Sequence, residues 1–194
     1  MKYALCSILP LAILPLFLEA QESGSNATSW NDVAHAWSTY IQDPTAANGE
    51  ALFSLLPDHK NPPTHYDSAS YFSIYHHLGS LEKLVVQQDR LAVRIAFRML
   101  NICDASFCET LDQILGKLIQ RNPTMFLEEL YVHADKGHFG LGGLLCNLGD
   151  QFVDRTQESN AEFRLRIAAL QKVKVDTLTP IRDLCISRLK SCIR

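Results

Sequence analysis

The chain has 194 residues, of which 47% are hydrophobic and 20% charged, and its net charge is −3. That balance is ordinary for a globular protein and excludes a disordered chain, a collagen-like repeat and a polytopic membrane protein. Six cysteines in this length are too few for a disulfide-dense miniprotein.

Residues 1–20 read as an export signal. Lys2 forms a short positive start, an apolar run follows from Ala4 to Leu18, and Ala20 provides a small residue before a cut. The run is interrupted by Ser7, Pro10 and Pro15. It is shorter than the ~20 residues a spanning helix needs, and its prolines suit a helix badly. A cleavable secretory signal is therefore expected, with an uncleaved anchor as the alternative. Residues 21–28 (QESGSNAT) read as a flexible polar tail that contains the sequon Asn26-Ala27-Thr28. Residues 29–194 are expected to form one helical domain, long enough to bury a core. The expected location is periplasmic or extracellular, and no integral membrane segment is expected after signal cleavage.

From Ser29 onward the pattern is helical. Ser29 and Asp32 resemble an N-terminal cap, with Val33, Trp37 and Ile41 following at helical spacing. Asp43-Pro44 breaks that helix, a short one covers 46–56, and 58–67 with Pro62-Pro63 is a loop. Helix resumes over 68–88 with an interruption near Gly79. Asp89 caps the next helix through Asn101, and Asp104 caps another through Arg121. Asn122-Pro123 stops one helix and starts the next, which runs to about Ala134, because proline suits the first helical turn. The glycines of 135–149 predict the longest break, a connector or lid. Ser159 with Glu162 predicts a capping box, and Thr179-Pro180 opens the last helix. No segment alternates long enough to predict a strand.

Without Cys6 the cysteines are Cys103, Cys108, Cys146, Cys185 and Cys192. Export permits disulfides, and an odd number leaves one thiol over. Cys103 and Cys108 flank a short turn and are the best candidate pair. Cys185 and Cys192 lie on one helix roughly 10 Å apart, too far to bridge each other, so either could reach Cys146. The bland alternative makes all five small buried apolar residues.

Two stretches share a style. Residues 91–100 (LAVRIAFRML) precede a short turn and a second amphipathic helix, and residues 163–170 (FRLRIAAL) precede Val175-Asp176 and the final helix. Each first helix carries arginine, small alanines and leucine. This resembles the helix pairs of HEAT-type α-solenoids. The resemblance implies an all-α fold of stacked antiparallel helix pairs, a short solenoid-like array with a concave face for a protein or peptide. An irregular helical bundle is the rival architecture.

Charge is unevenly spread. Residues 21–159 carry 9 Lys and Arg against 17 Asp and Glu, a net of −8, whereas residues 160–194 carry 8 against 3, a net of +5. A basic C-terminal hairpin thus follows an acidic body. It reads either as a surface for an acidic partner or as solvated helix faces attracted to the body. Nucleic acid is not expected, since the domain is not basic overall.

The first candidate binding surface is the segment 65–77, where Tyr66, Tyr71, Phe72, Tyr75 and His76 crowd together. Tyrosines combine apolar area with a polar tip and favour interfaces. The second is a ridge of Arg90, Arg94 and Arg98, one every four residues on an otherwise apolar helix. Buried arginines need carboxylates, either internal ones such as Glu82, Asp89 or Asp112, or those of a ligand. Glu129 and His133 on one helix, with His138 beyond, are the alternative metal set; none is favoured, and no cofactor is expected. No Gly-x-Ser-x-Gly elbow or phosphate loop is present. The expected function is therefore an exported, non-enzymatic binding protein for a protein or peptide. A helical, metal-dependent exported enzyme is the alternative.

Overall fold

A computed structural model describes residues 29–57, 68–134 and 140–194, and all regular structure among them is helical. Ten α-helices follow in order: α1 (Trp30–Gln42), α2 (Ala46–Leu55), α3 (Ser68–His76), α4 (Leu78–Val86), α5 (Arg90–Met99), α6 (Ala105–Arg121), α7 (Pro123–Ala134), α8 (Leu141–Cys146), α9 (Thr156–Gln171) and α10 (Thr179–Cys192). Among the described residues no helix is long and apolar enough to cross a membrane.

The caps expected from sequence form. Ser29 accepts from the Asp32 amide, Asp89 from that of Ala92 and Asp104 from that of Phe107. These bonds satisfy amides that a helix start otherwise leaves open. Two tyrosines reinforce them. Tyr40 on α1 donates its hydroxyl to Asp89 at 3.4 Å, and Tyr71 on α3 donates to Asp104 at 2.5 Å. Each cap aspartate thereby also ties its helix to a neighbour.

The helices stack as an array of antiparallel pairs. The pairs are α1/α2, α4/α5, α6/α7 and α9/α10. In one row α4 packs on α6 and α6 on α9; in the other α2 packs on α5, α5 on α7 and α7 on α10. The core lies between the rows, around the fully buried Trp37, Tyr40, Leu52, Phe97, Phe107 and Phe126. Burying one such side chain contributes about 1.5–3 kcal/mol.

Three expectations need correction. The pairing of residues 91–100 with the following helix is offset: α5 touches α6, but it closes a pair with α4, and α6 opens the next with α7. The reason is that α5 buries Ala92, Val93, Ile95, Ala96, Phe97 and Met99, which leaves it apolar toward several neighbours at once. The interruption expected near Gly79 is present, as the turn at His77 between α3 and α4. The glycine-rich stretch is not all connector, since Leu141–Cys146 forms α8 and buries Leu144 and Leu145. The capping box at Ser159 does not start a helix. α9 begins three residues earlier, and the Ser159 hydroxyl donates instead to the carbonyls of Phe152 and Arg155. The loop over 58–67 and the 1–20 and 21–28 segments lie outside the described residues.

Two glycines permit close approach. A Cβ on Gly116 of α6 would stand 2.8 Å from the Arg166 guanidinium of α9, and one on Gly143 of α8 would stand 2.5 Å from Asp112 of α6. Arg166 is 3% exposed and donates to the Leu145 carbonyl at 2.8 Å. Burial pulls its guanidinium down to about 10, against the opposing pull of Glu162, whose carboxylate lies 4.0 Å away. A buried, anchored guanidinium cannot step aside, so Gly116→Ala should destabilise by about 1–3 kcal/mol, the usual cost of overpacking. Urea unfolding of the variant checks this, and a midpoint equal to wild type would contradict it.

Candidate binding surface

Each residue expected to bind was placed by its helix. In the aromatic segment, α3 turns Tyr71 and Ile74 inward. Tyr71 meets the Phe107 ring edge-on at 5.5 Å and stacks on Tyr75 at 6.2 Å, while its hydroxyl is taken by Asp104. Tyr75 is half-buried against Phe107 at 6.0 Å. Tyr71 therefore belongs to the core rather than to an open surface. Phe72, 55% exposed, and His76 face outward with ring centroids 6.4 Å apart. Tyr66 lies outside the described residues.

The arginine ridge is also spent internally, on partners other than those anticipated. Arg90 reaches Glu128 at 2.5 Å and Glu129 at 3.3 Å on α7. Arg94 pairs with Glu50 on α2 at 2.9 Å and lies over the Phe53 ring at 4.4 Å. Arg98 donates to the carbonyls of Leu56 and Pro57, at 3.1 and 3.0 Å, and so caps the C-terminal end of α2. The three guanidiniums bolt α5 to α2 and α7. Of the carboxylates suggested from sequence, Glu82 pairs with Lys117, Asp89 serves as a cap, and Asp112 is buried with burial and nearby Glu109 raising its carboxyl to about 7.

Glu129 and His133 do share the buried face of α7. Glu129 receives Arg90, and burial raises its carboxyl above the ordinary range despite the lowering effect of Arg90 and Arg94. The His133 ring stacks on Phe97 at 5.6 Å. His138 lies outside the described residues, and among those described no group of three His, Cys, Asp or Glu side chains could hold a metal.

Cys103 and Cys108 form a disulfide, with Cα atoms 5.3 Å apart. Cys146 and Cys192 form a second, at 6.1 Å, which ties α8 to the end of α10. Both separations suit the bond. Cys185 is the thiol left over; it is buried, and desolvation pushes it up to about 12, which makes it inert.

Two concavities stand out, and the α9/α10 pair contributes walls to both. One is a cleft of about 410 Å³ between the 147–153 connector, the first turns of α9 and the end of α10. Leu148, Phe152 and Phe163 give it apolar walls, Ser159 and Asn160 give polar ones, and the Cys146–Cys192 disulfide borders it. Its rim is fixed by Asn160, which donates to the Arg194 carbonyl at 2.8 Å and accepts from the Arg194 amide at 3.1 Å. The other is a groove of about 540 Å³ along one face of α10, lined by Arg182, Asp183, Ile186, Ser187 and Lys190, with Gln171 and Lys174 from the end of α9 and the connector beyond it. Its basic character follows from the charge of 160–194, but which lysines meet is a tertiary fact. The cleft has no sequence signal, because its walls come from three separate segments. No family model, curated protein or solved structure matches this chain.

Proposed function

We propose that this protein is an exported, non-enzymatic binding protein that recognises a protein or peptide through the surface of its terminal helix pair, α9/α10. The observation that carries the reading is that this pair contributes walls to both concavities, while the tyrosine tip and the arginine ridge are consumed by internal contacts. Concave sites with mixed apolar and polar walls are where ligands bind. Export is supported by the signal-like residues 1–20 and by two disulfides, which persist in oxidising compartments.

The test is capture of a partner from the exported fraction of the source organism on immobilised protein. Three variants run beside wild type: Val153→Asp at the cleft rim, Lys174→Glu with Lys190→Glu in the groove, and Phe72→Ala with His76→Ala on α3. Val153 is 68% exposed and Phe72, His76, Lys174 and Lys190 are also exposed, so folding should survive. A partner lost at least tenfold in a cleft or groove variant and kept by the α3 variant is the expected result. A partner lost only in the α3 variant, or none at all, would overturn the reading.

A further inference from the structure

The bland account of the basic C-terminal hairpin is attraction to the acidic body. That account predicts ion pairs between the two, and among the described residues no ion pair joins a Lys or Arg of 160–194 to an Asp or Glu of 29–159. The pairs the hairpin makes are its own, Arg166 with Glu162 and Arg182 with Asp183. Arg90, Arg94 and Lys117 pair with carboxylates of the body itself, which keeps its net negative charge. Of the hairpin's cations, Lys174 and Lys190 are exposed, and they line one groove with Arg182 and its partner Asp183.

The groove has a direction and a spacing. Arg182 is held at its upper end, donating to the Val173 carbonyl and to Asp183, both at 2.8 Å. Lys174 lies one residue beyond Val173, at the same end. Lys190 follows Arg182 by eight residues on α10, two helical turns and more along, or about 12 Å at 1.5 Å per residue. An extended chain advances about 3.3 Å per residue, so carboxylates three or four residues apart would span the two ends. Ile186, half-buried between them, gives the floor an apolar step under the middle of such a chain.

We infer that the groove along α10 is a docking site for an extended, carboxylate-rich polypeptide segment, with acidic residues three or four apart meeting Lys174 at one end and Lys190 at the other. Charge complementarity carries the choice of occupant. Its concave form suits an extended chain that enters it better than a flat lipid surface that cannot. The inference rests on the binding-protein reading above and narrows it.

The experiment is a fluorescence titration of the purified protein with a synthetic peptide bearing glutamate at every third position, against the same peptide with glutamine. Expected are saturable binding of the glutamate peptide, no binding of the glutamine peptide, and a loss of at least tenfold for Lys174→Glu with Lys190→Glu. Affinity should fall steeply with salt, since exposed charges are screened. Circular dichroism confirms the fold of the variant. Equal binding of both peptides, or binding untouched by charge reversal, would overturn the inference. So would binding of vesicles containing anionic phospholipid, or of inorganic phosphate, without binding of the peptide. A partner captured from the exported fraction that is lost in Val153→Asp but kept by the lysine variant would overturn the groove assignment and leave the binding-protein reading standing.

Discussion

Asp112→Asn should stabilise the protein at pH 8 by about 2–3 kcal/mol, raising its melting temperature by roughly 5–10 °C. Asp112 sits on α6 under Gly143 of α8, 9% exposed, and among the described residues no ion pair reaches it. Its carboxyl is raised from 3.8 to about 7, first by burial and then by Glu109. In the unfolded chain the group releases its proton near the ordinary value. The native state therefore holds a proton that the unfolded state has lost across the interval between the two. The contribution of this group to stability is greatest below about pH 4, declines as pH rises through the interval, and is fully lost above about 7. Asparagine keeps the shape and removes the charge. The variant and wild type should thus diverge at pH 8 and converge at pH 3, where the aspartate is neutral in the folded and the unfolded chain alike. Thermal unfolding at the two values measures it, and a difference that does not change with pH would refute it.

The second large effect concerns the disulfides, which should not be equivalent. A cross-link restricts the unfolded chain more when it closes a longer loop. The Cys146–Cys192 bond spans 46 residues and the Cys103–Cys108 bond spans 5. In the chain-entropy treatment the first is worth about 4 kcal/mol and the second about 2. Cys146→Ser with Cys192→Ser should therefore lower the urea midpoint about twice as far as Cys103→Ser with Cys108→Ser. The long bond also borders the cleft and clamps α8 to the end of α10, so its loss should loosen that rim as well. Equal midpoint shifts would show that loop closure does not govern this protein's stability.

Much of the local structure was legible in the chain. Ser29, Asp89 and Asp104 announce helix starts, because a short oxygen-bearing side chain before an apolar period satisfies a free amide without reference to anything distant. Pro123 and Pro180 mark starts for a similarly local reason. The Cys103–Cys108 pair was visible because five residues and a turn confine both partners. Ser159 misled because a hydroxyl that could cap an amide can equally donate back to a carbonyl within a helix already under way.

The sequence by itself determined that this is an all-α protein, where most of its helices begin and end, and that its last segment is basic while its body is acidic. Those are properties of residues within a turn or two of one another. Only the tertiary structure decided which helix closes a pair with α5, that Tyr71 faces the core and gives its hydroxyl to Asp104, and that the arginine ridge is answered by Glu50, Glu128 and Glu129. It alone decided that Cys192 rather than Cys185 meets Cys146, and that Lys174, Arg182 and Lys190 line one groove. The physical reason is common to all of these. Periodicity tells which face of a helix is apolar, but a helix such as α5 is apolar toward several neighbours. The choice among them is made by the packing of residues that lie far apart in the chain.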